Sequence, residues 1–157
     1  MGFRVGMSFP LPEYYDYLRE HGFDVVKVQM LRNDEDETIE KMHGFEAVAA
    51  MGERFTPRVL DALKDHLQIV VRHGIGYDRV DIDYAAQVGI CCCNTPGTMS
   101  SGVAETTLAM MLECLRQFYK SDREIKDGGW NKGPVTRQLE GSTIGLVGFG
   151  NIAQRVA

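Results

Sequence analysis

Two glycine-rich turns hold the residue types that could do chemistry in this chain. The first is His73-Gly74-Ile75-Gly76-Tyr77-Asp78, which follows the apolar run 68–72. Two glycines let the main chain approach a ligand closely, and N–H groups at a strand end can bind an anion without a charged side chain. By spacing alone the same residues also read as a simple turn before a helix capped by Asp81. The second is Gly148-Phe149-Gly150-Asn151-Ile152-Ala153, directly after the apolar run 143–147. This is a G-x-G-x-x-A turn, the fingerprint that seats a pyrophosphate at a helix N-terminus. Gly148 makes the tight turn, Gly150 removes the side chain that would block the phosphates, and Ala153 is small enough for close helix packing. A helix starting near Asn151 would aim its free N–H groups at the ligand.

Other reactive residue types read as structural. Asp34, Glu35, Asp36 and Glu37 fall in the first turn of a helix that Asn33 caps, where the macrodipole favours carboxylates, so they are a helix start and not a metal site. Cys91, Cys92 and Cys93 are consecutive and point alternately to opposite faces of a strand, leaving Cys114 as the only distant partner. No C-x-x-C spacing exists, and the four are expected as small buried hydrophobes.

The elements that position these turns follow from periodicity. Up to about residue 98, short apolar runs alternate with amphipathic segments, the pattern of a parallel sheet covered by helices. Strands are expected at 3–7, 23–28, 45–50, 68–72 and 90–93. The intervening helices include one with Pro12 in its first turn, one capped by Thr56 ahead of Pro57, and one running from Asp81 to Gly89. Ligands bind outside the carboxyl ends of such strands, which directs attention to loops 51–55, 73–78 and 94–99. A single long helix is expected over 101–119, with Val103, Thr107, Met110, Met111 and Cys114 at helical spacing, and a strand at 143–147. The fold class is therefore α/β: a flavodoxin-like doubly wound parallel sheet in a domain spanning 1–100, then the first helix and strand of an incomplete Rossmann domain over 101–157.

Composition narrows the partners. The 157 residues are 44% hydrophobic and carry 17 Lys and Arg against 22 Asp and Glu, a net charge of −5. No basic stripe is present to neutralise phosphates, so nucleic acid is not expected as a partner. The apolar runs fall far short of the ~20 residues of a bilayer span, and residues 1–10 lack the pattern of a secretory signal. No membrane partner is expected, and the cytoplasm is the expected compartment.

Taken in order, Val71-Arg72-His73-Gly74-Ile75-Gly76-Tyr77-Asp78-Arg79-Val80-Asp81, Asn94-Thr95-Pro96-Gly97, Val103-Ala104-Glu105-Thr106-Thr107-Leu108-Ala109, Gly128-Gly129-Trp130 and the glycine turn at 148–153 resemble the NAD-dependent D-2-hydroxyacid dehydrogenases, a family that includes phosphoglycerate dehydrogenase and the glyoxylate and hydroxypyruvate reductases. The resemblance covers nearly the whole chain. It implies hydride transfer between a nicotinamide and a 2-oxo acid, with substrate held by the first domain, cofactor by the second, and reaction in the cleft between them. It implies that Gly74, Ile75 and Gly76 receive the substrate carboxylate, with Ile75 also near the nicotinamide and Met51 at the substrate side of the third strand. Gly148, Gly150, Asn151 and Ile152 would contact the pyrophosphate, and Thr107 would face the cofactor. NAD is the expected cofactor, with NADP open, because the acidic residue that would read the ribose ~20 positions on is not in the sequence.

The family's mechanism uses an arginine, a histidine and a carboxylate. His73, Arg72 and Arg54 do not match those motifs, and His73 reads as a supporting residue; His21, His43 and His66 read as surface. The catalytic groups are expected beyond Ala157, and the chain alone is expected to be inactive. Where phosphoglycerate dehydrogenases carry an arginine, this sequence has Ala49-Ala50-Met51-Gly52, which disfavours a phosphorylated substrate unless Arg54 compensates. A signalling receiver would need acidic residues where Met7-Ser8 and Ala50-Met51 stand. The alternative that remains is a non-enzymatic, dinucleotide-sensing scaffold of the same fold. The segment 101–119 also resembles the part through which family members dimerise, so a homodimer is expected.

Overall fold

A computed structural model describes residues 3–32, 34–130, 133 and 135–157, in two compact units, Met1–Pro96 and Gly97–Ala157. In the first unit every short apolar run becomes a strand: β1 Arg4–Met7, β2 Asp24–Lys27, β3 Ala47–Ala50, β4 Ile69–Arg72 and β5 Cys91–Cys93. Helices α1 Pro12–Glu20, α2 Glu35–Met42, α3 Pro57–Leu63 and α4 Ile82–Gln87 lie between them in sequence. All strands are parallel in the order β2-β1-β3-β4-β5, the flavodoxin-like winding.

Side chains alternate across this sheet and build a core on each face. Val48, Ala50 and Val70 enter the larger core with Phe45, Phe55, Leu60 and Leu63. Val5, Met7, Val25 and Ala47 enter the smaller one with Phe9 and Tyr15. Gly6 sits mid-strand because a Cβ there would lie 3.0 Å from the Phe45 ring, so only glycine lets that ring close over β1. Tyr15 keeps its hydroxyl satisfied by donating to the Phe9 carbonyl at 2.9 Å, and burial pushes its phenol pKa up.

Several expectations change at the residue level. Asn33 lies outside the described residues, and α2 is capped by Asp34, whose Oδ1 accepts from the Glu37 N–H at 2.8 Å. Glu37 is buried and its carboxylate accepts the N–H groups of Leu31 and Arg32 at 2.7 and 2.6 Å. Two members of the acidic cluster thus serve the helix start directly. Asp81 caps α4 by accepting from the Tyr84 N–H at 2.9 Å. Thr56 occupies the N-cap position of α3, but its hydroxyl makes no cap bond. The cysteines differ from expectation: Cys91, Cys93 and Cys114 are exposed and Cys92 is half-buried. For the three in the sheet the cause is that β5 is an edge strand, with only Cys92 turned onto the larger core.

The second unit contains α5 Ser100–Arg116, α6 Phe118–Lys126 and α7 Asn151–Val156, with α7 packed on α5. The helix expected over 101–119 ends at Arg116, because Gln117 adopts a left-handed conformation at φ 54°. The Glu113 carboxylate then accepts the Tyr119 N–H at 3.0 Å and starts α6. Residues 143–147 form no strand, since no neighbouring strand among the described residues offers their backbone a partner. Among the described residues no helix is long and apolar enough to cross a membrane, and no cluster of His, Cys, Asp or Glu could hold a metal ion.

Candidate functional site

Parallel pairing brings three loops to the carboxyl edge of the sheet, after β3, β4 and β5. Their polar groups are arranged in opposite senses. In the loop after β3, the buried Glu53 carboxylate accepts the N–H groups of Met51 and Gly52 at 2.8 and 3.0 Å. An anion of the chain's own therefore occupies the donors there. With its N–H taken, Met51 presents its exposed side chain. Phe55, at the far end of the same loop, is wholly buried, and Arg54 lies on the rim of a separate cavity with Asp78 and Arg79.

The loop after β4 has the reverse polarity. The His73 carbonyl accepts from the Arg72 guanidinium, the Gly74 carbonyl from the Thr95 N–H at 3.0 Å, and the Ile75 carbonyl from the Asn94 side-chain amide at 2.8 Å. The His73 N–H is held by the Ala50 carbonyl at 2.8 Å and the Gly74 N–H by Thr95 Oγ1 at 3.0 Å. The N–H groups of Ile75 and Gly76 have no hydrogen-bond partner among the described residues, and both residues are exposed. Three successive carbonyls are engaged while two successive donors stay open, which is the polarity an anion requires.

Gly74 is required for this shape: it has φ +142°, and a Cβ would lie 3.2 Å from Arg72 Nη1. Arg72 is half-buried, its Nε has no partner among the described residues, and its guanidinium lies against His73 and Gly74, so it brings a positive charge to this loop. It also lines a cavity of about 180 Å³ with Tyr77, Cys92 and Asn94. Burial raises the Cys92 thiol pKa. The His73 ring lies 4.4 Å from that of Phe9 and 6.3 Å from Tyr14, an aromatic support for the loop.

In the second unit the glycine turn has the backbone its sequence requires. Gly148 has φ +87°, Gly150 is the N-cap of α7, and among the described residues other than its chain neighbours no atom lies within 4 Å of where a Cβ on Gly150 would stand. Asn151 and Ile152 open α7, and a cavity of about 450 Å³ beside them is lined by Gly97, Ser100, Asn151, Gln154 and Arg155. Open first-turn donors, a neighbouring guanidinium and empty space over Gly150 fit a phosphate group. Thr107 lies elsewhere in this unit, beside an apolar cavity of about 630 Å³, and its hydroxyl donates back to the Val103 carbonyl at 2.8 Å.

Asn94, Thr95 and Arg155 are absent from the sequence-based candidates. The loop 94–99 stands among those expected at the ligand edge, but nothing in its spacing shows that two of its residues bond to residues 19 to 21 positions earlier. Arg155 carries no signal beyond following a glycine turn by one helical turn.

The family described as D-isomer specific 2-hydroxyacid dehydrogenase, catalytic domain, matches residues 7–154. The chain is 40% identical over 105 residues to hydroxypyruvate reductase of Thermotoga maritima, covering 66% of this chain and 34% of that protein. It is 34% identical over 148 residues to D-3-phosphoglycerate dehydrogenase of Archaeoglobus fulgidus, covering 92% and 27%. A crystal structure of a protein from Thermus thermophilus superposes with a TM-score of 0.89 at 30% identity, over 98% of this chain and 51% of that one. The chain thus spans about a third or less of these curated relatives and about half of the solved structure. With the match running through both glycine turns, the chain belongs to the D-isomer specific 2-hydroxyacid dehydrogenase family.

Proposed function

We propose that this chain supplies the substrate-holding unit and the opening of the nucleotide-binding unit of an enzyme that interconverts a D-2-hydroxy acid and its 2-oxo acid. The observation that carries the reading is the loop 73–76, whose Ile75 and Gly76 N–H groups are open while the His73, Gly74 and Ile75 carbonyls are engaged. Those two donors take the substrate carboxylate, with the Arg72 charge in the same loop, and so fix the position of the adjacent carbonyl carbon. The exposed Met51 and Ile75 side chains shape the space around the rest of the substrate.

The turn Gly148 to Ile152, with Arg155 beside it, takes the pyrophosphate of NAD; NADP is the alternative nucleotide. When bound, the nicotinamide supplies or accepts the hydride. Thr107 is assigned to the cofactor side on family resemblance. Proton transfer and polarisation of the 2-oxo group need an arginine, a histidine and a carboxylate in motifs that residues 1–157 do not contain, so this chain by itself is expected to bind and not to turn over. The free thiols of Cys91 and Cys93 on an exposed edge strand fit the reducing cytoplasm.

The test is NADH and NADPH oxidation with glyoxylate, pyruvate, hydroxypyruvate and phosphohydroxypyruvate. A protein that carries residues 1–157 together with the downstream catalytic motifs is predicted to reduce one or more of these acids, with the phosphorylated acid disfavoured because no arginine stands at the end of β3. Absence of oxidation with every acid by such a protein would count for the dinucleotide-sensing scaffold.

A further inference from the structure

We infer that Asn94 and Thr95 are positioning residues that hold the carboxylate-binding loop open, an inference that rests on loop 73–76 being the carboxylate site. The two residues reach the loop from the end of the neighbouring strand β5 and make three hydrogen bonds to it. Thr95 grips Gly74 at both ends of the residue: its N–H donates to the Gly74 carbonyl at 3.0 Å and its Oγ1 accepts the Gly74 N–H at 3.0 Å. Asn94 Nδ2 donates to the Ile75 carbonyl at 2.8 Å.

These bonds do more than tether the loop. A carboxylate approaching successive peptide units meets both N–H dipoles and carbonyl oxygens, and an unengaged carbonyl on that side repels it. Holding the Gly74 and Ile75 carbonyls against donors that follow β5 fixes the peptide planes so that the Ile75 and Gly76 N–H groups are the ones left open. Gly74 at φ +142° sits in a conformation with neighbouring wells, and the two-ended grip of Thr95 selects one of them. The chemistry at each position is specific. Serine at 95 keeps the acceptor oxygen, whereas valine has the same shape and no acceptor. Aspartate at 94 would present an oxygen to the Ile75 carbonyl and a negative charge beside the anion site.

The test is an NMR titration of the ¹⁵N-labelled chain with oxamate, a carboxylate carrying an adjacent carbonyl, read at the Ile75 and Gly76 amides. Wild type and Thr95→Ser are predicted to shift these amides with similar affinity. Thr95→Val and Asn94→Ala are predicted to bind about tenfold more weakly, the effect of losing one orienting hydrogen bond, with melting temperatures near that of wild type. Asn94→Asp is predicted to be weaker still. Equal oxamate affinity in Thr95→Val, Asn94→Ala and wild type overturns the positioning role and leaves the carboxylate reading in place. No shift at Ile75 or Gly76 in wild type overturns the carboxylate reading itself, and the inference with it. Should Thr95→Val fail to fold, Asn94→Ala, which removes one side-chain amide and leaves the backbone bonds, decides alone.

Discussion

Glu53, in the loop after β3, and Thr95, in the loop after β5, act on opposite polarities of backbone group. Glu53 places its own carboxylate on the N–H groups of Met51 and Gly52, so that loop is closed to an outside anion. Thr95 and Asn94 take the carbonyls of Gly74 and Ile75, so the next loop is open. Gly74→Ala tests the shape directly. Alanine at φ +142° is strained by roughly 1–3 kcal/mol, and its Cβ would press on Arg72 Nη1, 3.2 Å away. The variant is predicted to fold with a modestly lowered melting temperature and to lose at least about tenfold in oxamate affinity, since both donors shift with the peptide plane. Unchanged affinity by isothermal titration would contradict the assignment. Gly74 was legible because its backbone at φ +142° is one that glycine satisfies, and that requirement is written in the residue type. The partners of the loop were not, because their contact arises from the pairing of β4 with β5 and leaves no mark in local spacing.

At the scale of elements, legibility followed the same division. Short apolar runs announced all five strands of the sheet, and Pro12, Pro57 and Asp81 marked helix starts. The break at Gln117 was hidden, since a non-glycine residue in the left-handed conformation has no signature and the apolar spacing continues across it into Phe118. The strand expected at 143–147 shows that apolar pattern is a propensity, which becomes a strand only when a neighbour accepts its hydrogen bonds. The acidic start of α2 was legible in kind, and its partner was not: Arg58 of α3 bonds Glu35 at 3.2 Å and Asp36 at 2.5 Å. That guanidinium holds the Asp36 carboxyl below its usual range. A carboxyl with a lowered folded pKa adds stability above its unfolded value and loses it as pH falls through the folded one. Arg58 is itself raised, and titrates only at strongly alkaline pH, so Asp36 governs the acid limb. Between neutral pH and the acid range below the ordinary aspartate value of about 3.9, wild type is predicted to lose more stability than Arg58→Ala. Denaturant unfolding at a series of pH values checks this, and parallel curves for the two proteins would contradict it.

For the whole molecule, the parallel order β2-β1-β3-β4-β5 explains why chemistry gathers at one edge, because every loop that follows a strand begins on the same side. Burial was less legible than topology. The three cysteines of β5 read as core, and the edge position of that strand left two of them at the surface. The second unit exposes Met110 at 63%, Phe118 at 55% and Tyr119 at 64% on α5 and α6. We propose that the chain self-associates through these helices as a homodimer. Sedimentation velocity is predicted to give a dimer, and a monodisperse monomer at micromolar concentration would contradict it.

Everything proposed for substrate binding depends on Ile75 and Gly76 offering unpaired N–H groups to a carboxylate, and amide hydrogen exchange at residues 74 to 76 reads this directly. In the free chain, Gly74 is predicted to exchange slowly, because Thr95 Oγ1 holds its N–H, while Ile75 and Gly76 exchange fast. Oxamate is predicted to slow Ile75 and Gly76 and to leave Gly74 unchanged. Protection of Ile75 and Gly76 in the free chain, or exchange there that oxamate does not slow, would contradict the assignment of this loop as the carboxylate site.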